Sequence, residues 1–333
     1  MRRAGYLTER IADTDNLLYA YCKAVRGKRM QEEVRCYSAA LQENVDLLRR
    51  SILSGTVEVG DYTYFQIRDP KPRMICAAAF RERVLHHALM NECHPYFERQ
   101  LIETTYATRP QKGVYQAIDR ARAACRRYGY VAKFDFRKYF DSIDHAILKA
   151  LLRRLFKDVR LLGIFDTIID SYSRGEGMGV PIGNLTSQYF ANYYLSGLDH
   201  YVKEELGAGE YVRYMDDFLI FADTPEELDG YVAAVHGYAR SRLALTLKPV
   251  VRLSPSSGIP FLGYTLYPHK VLLNGRSKRR LKQKMRTYEL MLANGLWSGQ
   301  RYLEHITPLL AFARYGYTRH LRQGIVGMTA NGQ

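Results

Sequence analysis

Cysteine, tryptophan and acidic residues are all in short supply in this 333-residue chain, which has 5 Cys, 1 Trp and 34 Asp plus Glu against 49 Lys plus Arg. The five cysteines, Cys22, Cys36, Cys76, Cys93 and Cys125, are odd in number, widely scattered and without a C-x-x-C pair. This argues against a disulfide framework or a structural zinc. Long apolar runs are missing too. The longest, such as Met74 to Phe80, fall well short of the roughly 20 residues of a membrane-spanning helix. The opening Met1-Arg2-Arg3-Ala4-Gly5 turns polar at Thr8, Glu9 and Arg10, without the apolar stretch of a secretory signal. The expectation is a cytoplasmic protein with no membrane partner. No internal repeat or low-complexity segment is visible.

What remains is a surplus of positive charge, +15 in net terms. Such a surplus points to a polyanion, because each phosphate neutralised by Lys or Arg releases counterions. The 27 tyrosines fit that partner, since their rings stack on bases or sugars while their hydroxyls reach phosphates. A hydrophobic content of 47% is ample for packed cores in roughly two domains. His86, His87, Cys93 and His94 cluster on an expected helix. Adjacent histidines there point about 100° apart, so they read as packing and hydrogen-bonding residues rather than metal ligands.

The first sixty residues read as two helices, the second from Val34, Leu41, Val45, Leu48 and Ile52 on one face with Gly55 as its stop. Residues 62–68 and 74–80 read as strands of a hairpin with a basic tip, Asp69-Pro-Lys-Pro-Arg73. Helices are expected over 81–100, 114–128, 144–171, 185–206 and 225–243, and short strands over 130–136 and 245–247. Tyr211 to Phe221 reads as two apolar strands hinged at Asp216 and Asp217. From Arg276 the chain is helical and strongly basic, and it ends in a Gly-Met-Thr-Ala-Asn-Gly stretch.

Three acids fall where apolar strands end: Asp135, Asp216 and Asp217. Carboxylates in such company cost several kcal/mol each unless a cation compensates. Hard oxygen donors suit Mg²⁺, and two ions about 3.5–4 Å apart stabilise both oxygens of an in-line phosphoryl transfer. An isolated Asp-Asp pair would be a polar turn. Its apolar flanks and the upstream Asp135 favour the metal reading.

The blocks Phe134-Asp-Phe-Arg-Lys-Tyr-Phe140, Tyr214-Met-Asp-Asp217 and Phe261-Leu-Gly-Tyr264 resemble, in order and spacing, those of reverse transcriptases. The resemblance implies an α+β right-hand polymerase of fingers, palm and thumb, with an antiparallel palm sheet and a helical thumb. It implies two Mg²⁺ ions, with Mn²⁺ as a substitute, on Asp135, Asp216, Asp217 and the Phe136 carbonyl. Lys71 and Arg73 would grip the triphosphate, and Phe140 would act as the gate that excludes a 2′-hydroxyl. Lys248 falls near the family's pyrophosphate-protonating lysine and reads equally well as a solvated lysine. Tyr214 and Met215 would meet nucleic acid. The implied segments are an N-terminal helical extension over 1–60, fingers and palm over 61–268, and a thumb over 269–333. The thumb would place Lys278, Arg279, Arg280 and Lys282 on phosphates, with Tyr302, Tyr315 or Tyr317 near sugars.

Most such enzymes have Gln before the glycine and Pro after the serine of the block Val180-Pro-Ile-Gly-Asn-Leu-Thr-Ser-Gln188, where this chain has Ile182 and Gln188 around Gly183. This form resembles the reverse transcriptases of diversity-generating retroelements. Those enzymes copy a template-repeat RNA with errors at adenine and send the cDNA into a variable gene. Lys-Pro-Arg at the hairpin tip, Tyr106-Ala-Thr-Arg-Pro110, Lys112-Gly113 and a chain ending after the thumb are similar marks. The nucleotide side would then comprise Lys71, Arg73, Phe140, Ile182, Gly183 and Gln188. The implied partners are template RNA, the RNA/cDNA hybrid, deoxynucleoside triphosphates and a small oligomeric accessory protein, in a bacterial, archaeal or phage-encoded setting. Ile182 offers shape where Gln offers a hydrogen bond, which makes it a candidate source of infidelity or a plain packing residue. An intron-type or defence-associated reverse transcriptase, a catalytically silent RNA-binding scaffold and a primer-independent nucleotidyltransferase stay open.

Overall fold

In the computed structural model, residues 3–68, 72–319 and 321 are described. Asp69, Pro70 and Lys71 of the hairpin tip, His320 and residues 322–333 lie outside the described residues. The chain forms two compact units. One is built from Met1–Glu103, Phe136–Glu205 and Ala234–Lys248, the other from Thr104–Asp135, Leu206–Ala233 and Pro249–Gln333. Both are discontinuous along the chain.

The first unit opens with four helices where the sequence suggests two: Thr8–Ile11, Thr14–Ala24, Glu32–Ala39 and Leu41–Ser54. The Asp13 carboxylate accepts the Asp15 and Asn16 N–H groups and so starts the second. Ala40, at φ −120° and ψ 43°, splits the apolar stripe between the third and fourth. Gly55 closes the fourth at φ 76°, as its position predicts. Next comes an antiparallel hairpin, β1 (Tyr62–Arg68) and β2 (Pro72–Ala78), with Tyr64 opposite Cys76 and Phe65 opposite Ile75. Helices Phe80–Glu98, His145–Leu155, Val159–Asp170, Leu185–Tyr194 and Ser196–His200 follow. The single helix expected over 185–206 is therefore divided, and it finishes in a π-helical segment, Tyr201–Glu205.

The second unit holds β3 (Tyr130–Phe134), β4 (Glu210–Tyr214), β5 (Asp217–Ala222) and β6 (Val251–Leu253), ordered β4-β5-β3-β6 with every pairing antiparallel. Val131, Val212, Leu219 and Phe221 share one face of this sheet and form a core with Ile118 and Ala121 of helix Val114–Ala124. A second antiparallel sheet, β7 (Ile259–Phe261), β8 (Tyr264–Leu266) and β9 (Val271–Leu273), adds Phe261, Tyr264 and Leu266 to that core. Its first turn runs through Leu262 at φ 47° and Gly263 at φ 90°, the doubly left-handed turn that suits a two-residue hairpin. Helices Gly275–Ala293 and Gly299–Tyr315 complete the unit.

The strand expected over 245–247 does not form. Leu247 makes only an isolated antiparallel bridge to Phe136, with the Thr246 carbonyl accepting the Arg137 N–H at 2.9 Å. Ala244 enters this stretch at φ 49°, and Pro249 leaves it without an N–H to donate. The strand that pairs with β3 on the side away from β5 is β6.

Candidate active site

The acids arrive together through strand register. Phe134 of β3 stands opposite Phe218 of β5, so Asp135, the next residue of one strand, continues towards Asp217, the preceding residue of the other. Tyr214 of β4 pairs with Asp217 across the turn that carries Met215 and Asp216. Met215 adopts φ 57°, a left-handed conformation that costs a non-glycine residue about 1–2 kcal/mol. Strain of this kind concentrates at functional turns. All three carboxylates are half-buried and belong to the second unit.

Burial pushes the Asp217 carboxyl up to about 6. The charge and hydrogen bond of Lys133 oppose that rise, while the like charges of Asp135 and Asp216 add to it. Both acids therefore act electrostatically on Asp217. Lys133 Nζ donates to Asp217 Oδ2 at 3.0 Å, and the buried Oδ1 has no hydrogen-bond partner. An orphaned carboxylate oxygen beside two further acids suits a hard divalent cation. Even so, among the described residues no three His, Cys, Asp or Glu side chains converge closely enough to cage a metal. Asp217 is turned to Lys133. The backbone of Phe136, proposed to complete a metal shell, belongs to a fully buried residue bridged to Leu247.

In the first unit, the residues implied for nucleotide binding centre on β2. The Cys76 N–H donates to the Ile182 carbonyl at 2.8 Å, and the Ala78 N–H donates to Asn184 Oδ1 at 3.3 Å. Alternate residues of β2 are thus stapled to the 182–184 loop along the edge not paired with β1. Gly183 sits at φ 124°, where an added Cβ would lie 3.0 Å from Ile75 Cγ2 and 3.2 Å from the Cys76 carbonyl oxygen. Only glycine allows that approach. Arg73 is exposed on β2, on the face shared with Ile75. Ile182 and Gln188 are half-buried. A cleft of about 620 Å³ borders this loop, lined among others by Lys28, Phe65, Ile75, Arg83, His87 and Gly183.

Phe140 is half-buried with its ring edge-on to that of Tyr139, centroids 5.7 Å apart. Lys248 is half-buried at the end of the irregular stretch after Leu247. The histidine cluster disperses. His94 Nδ1 meets the Tyr189 hydroxyl at 3.1 Å, His86 faces Glu82, and burial holds the Cys93 thiol well above its ordinary pKa.

Back in the second unit, Lys278, Arg279, Arg280 and Lys282 are all exposed on helix Gly275–Ala293, whose Leu281 and Met285 face the core. Tyr317 is exposed, Tyr302 half-buried, and Tyr315 packs on Tyr115 at 4.3 Å between ring centroids. Burial raises the Tyr214 hydroxyl. Two residues that sequence reasoning overlooked are Lys133 and Asn184. The alternation that puts Lys133 on the side of Asp135 was visible in the sequence, whereas Asn184's bond to β2 was not.

An antiparallel sheet with acids at adjoining strand ends is the palm of a right-hand polymerase. Residues 67–266 match the profile described as reverse transcriptase (RNA-dependent DNA polymerase), and the chain belongs to that family. By class it is an RNA-directed DNA polymerase. Protein YkfC of Escherichia coli (strain K12) is 24% identical over 275 residues, 68% of this chain and 72% of that protein. Nuclear intron maturase 1, mitochondrial, of Arabidopsis thaliana is 25% identical over 88 residues, 26% of this chain and 12% of the maturase. Telomerase from Candida tropicalis, in complex with a TWJ fragment of telomeric RNA, superposes with a TM-score of 0.50 at 11% identity over 82% of this chain. Its apo form gives 0.50 at 11% identity over 74%. The chain spans 55% and 57% of those two telomerase chains, and the likeness bears on the fold alone. No helix among the described residues is long and apolar enough to cross a membrane.

Proposed function

We propose that this chain copies a template-repeat RNA into error-prone, adenine-mutagenic cDNA, as the polymerase of a diversity-generating retroelement. The observation that carries this reading is Ile182 in a loop whose backbone is bonded to β2. An apolar side chain there can test the shape of a nascent base pair but cannot hydrogen-bond it. Losing such a bond costs on the order of 1 kcal/mol of discrimination, a several-fold change in error.

In this reading, Asp135, Asp216 and Asp217, with the adjoining Phe136 carbonyl, hold two Mg²⁺ ions, for which Mn²⁺ can substitute. When bound, the ions supply charge neutralisation at the attacking and leaving oxygens. Arg73 and Lys71 hold the triphosphate, Arg by a planar fork and Lys as a point charge. Phe140 fills the space of a 2′-hydroxyl, and Gly183 and Gln188 border the nucleotide. Lys248 donates a proton to departing pyrophosphate. Tyr214 and Met215 meet the primer end, while Lys278, Arg279, Arg280 and Lys282 follow the phosphates of the hybrid. Template RNA, deoxynucleoside triphosphates and a small oligomeric accessory protein are the partners.

Similarity to an intron maturase favours a second reading as an intron-type reverse transcriptase. Reconstitution with RNA from the chain's own locus, followed by cDNA sequencing, separates the two. Substitutions concentrated at template adenines support the first reading, and faithful cDNA supports the second. Primer extension by the wild type that is matched by the D216A/D217A double variant overturns both.

A further inference from the structure

Lys133 lies two residues before Asp135 on β3, so the two side chains leave the same face of the strand. Its ammonium donates to Asp217 Oδ2 at 3.0 Å and to the Pro260 carbonyl of β7 at 2.8 Å, and it stands 5.6 Å from the centroid of the Phe261 ring. About a fifth of the Lys133 side chain and a quarter of the Asp217 side chain remain exposed, at 21% and 26%. The contact is therefore only partly screened by water. It lies wholly within the second unit. A positive group already occupies one oxygen of a carboxylate that has two acidic neighbours.

We infer that Lys133 is a built-in counter-cation: it holds Asp217 Oδ2 while no divalent ion is bound and competes with that ion for the carboxylate. The inference rests on the reading of Asp135, Asp216 and Asp217 as metal ligands. Two features of the geometry suit such an exchange. The Pro260 carbonyl gives the ammonium a second partner, so it does not become an orphaned charge when Asp217 turns away. The four-carbon stem lets it swing while the strand stays in place. A divalent ion carries twice the charge of the ammonium and gathers several oxygens at once, so it prevails once present.

The sign of the effect separates this role from a structural one. A lysine that merely braces the site would, when removed, loosen the carboxylates and weaken metal binding. A competitor, when removed, strengthens it. In the full chain, Lys133→Met should bind Mn²⁺ more tightly by about fivefold, the scale of one partly exposed ion pair. It should also melt at a lower temperature without metal and gain more from added Mg²⁺ than the wild type does. Lys133→Gln, which can still donate to Pro260 without a charge, should tighten Mn²⁺ equally and keeps the test available if the Met variant fails to fold. Lys133→Arg should stay near the wild type.

Mn²⁺ binding would be followed by electron paramagnetic resonance and Mg²⁺ binding by calorimetry, with Asp217→Asn alongside. If Asp217→Asn binds Mn²⁺ as well as the wild type, the metal-site reading falls and the inference falls with it. If Asp217→Asn binds weakly but Lys133→Met and Lys133→Gln bind no tighter than the wild type, the counter-cation role alone is overturned.

Discussion

The rings of Phe134 and Phe218 are stacked, 4.7 Å apart between centroids with planes 2° from parallel, each one residue from an acid. Their stacking locks β3 to β5 at the register that carries Asp135 towards Asp217. A slip of one residue would turn every side chain of β3 to the other face. Both rings are fully buried. Phe218→Ala is expected to cost about 3–5 kcal/mol, read as an earlier urea midpoint, and to lower primer extension with it. Phe218→Leu should keep most of both. Activity surviving a large loss of stability would show that the stack does not set the acids' register.

Ile182→Gln offers the amide that most of the family has at this position. The bond from the Cys76 N–H reaches the main-chain carbonyl of residue 182, so the loop should stay in place. Misincorporation opposite template adenine is expected to fall several-fold, for about 1 kcal/mol of added discrimination. Sequencing cDNA made by each variant from one template reads this out. An unchanged adenine error rate would remove Ile182 from the account.

The exposed lysines and arginines of helix Gly275–Ala293 predict a salt effect. Each phosphate contact contributes a slope of about 0.7–0.9 in log affinity against log salt. Replacing Lys278, Arg279 and Lys282 by alanine should therefore flatten the salt dependence of RNA/DNA hybrid binding by about 2–3. Fluorescence anisotropy at several salt concentrations measures it. An unaltered slope would mean that this face does not follow the backbone.

His87 predicts a pH dependence. Burial, helped by the charges of Lys23, His86 and Lys28, lowers its pKa to about 4. A histidine depressed on folding contributes stability that is present above its unfolded pKa, near 6.5, and lost as pH falls towards the folded value. Wild-type protein should lose melting temperature faster than His87→Gln between pH 6.5 and 4. Parallel curves over that window would show that His87 titrates as it does in the unfolded chain.

Much of this architecture was readable one residue at a time. Alternation placed β1, β3 and the Tyr211–Phe221 hairpin within a residue or two, and helix Pro225–Leu243 ends where its pattern does. Short or broken elements escaped. The strands β7, β8 and β9 are three residues each, too short for a period to show. Ala40 breaks a helix by a backbone angle that its side chain does not announce. The candidate site divides in the same way. Asp135, Asp216 and Asp217 announce themselves as charges amid apolar neighbours, but the bond from Lys133 to Asp217 spans 84 residues and that from Ala78 to Asn184 spans 106.

Order along the chain was enough to fix which chemical groups are present and the class of reaction they serve, because side-chain chemistry and strand periodicity are local properties. Which cation sits against Asp217, and which strand edge holds the Ile182 loop, depended on folding. Hydrogen bonds and charge pairs act over a few ångströms, and only the folded backbone brings residues so far apart in sequence within that range.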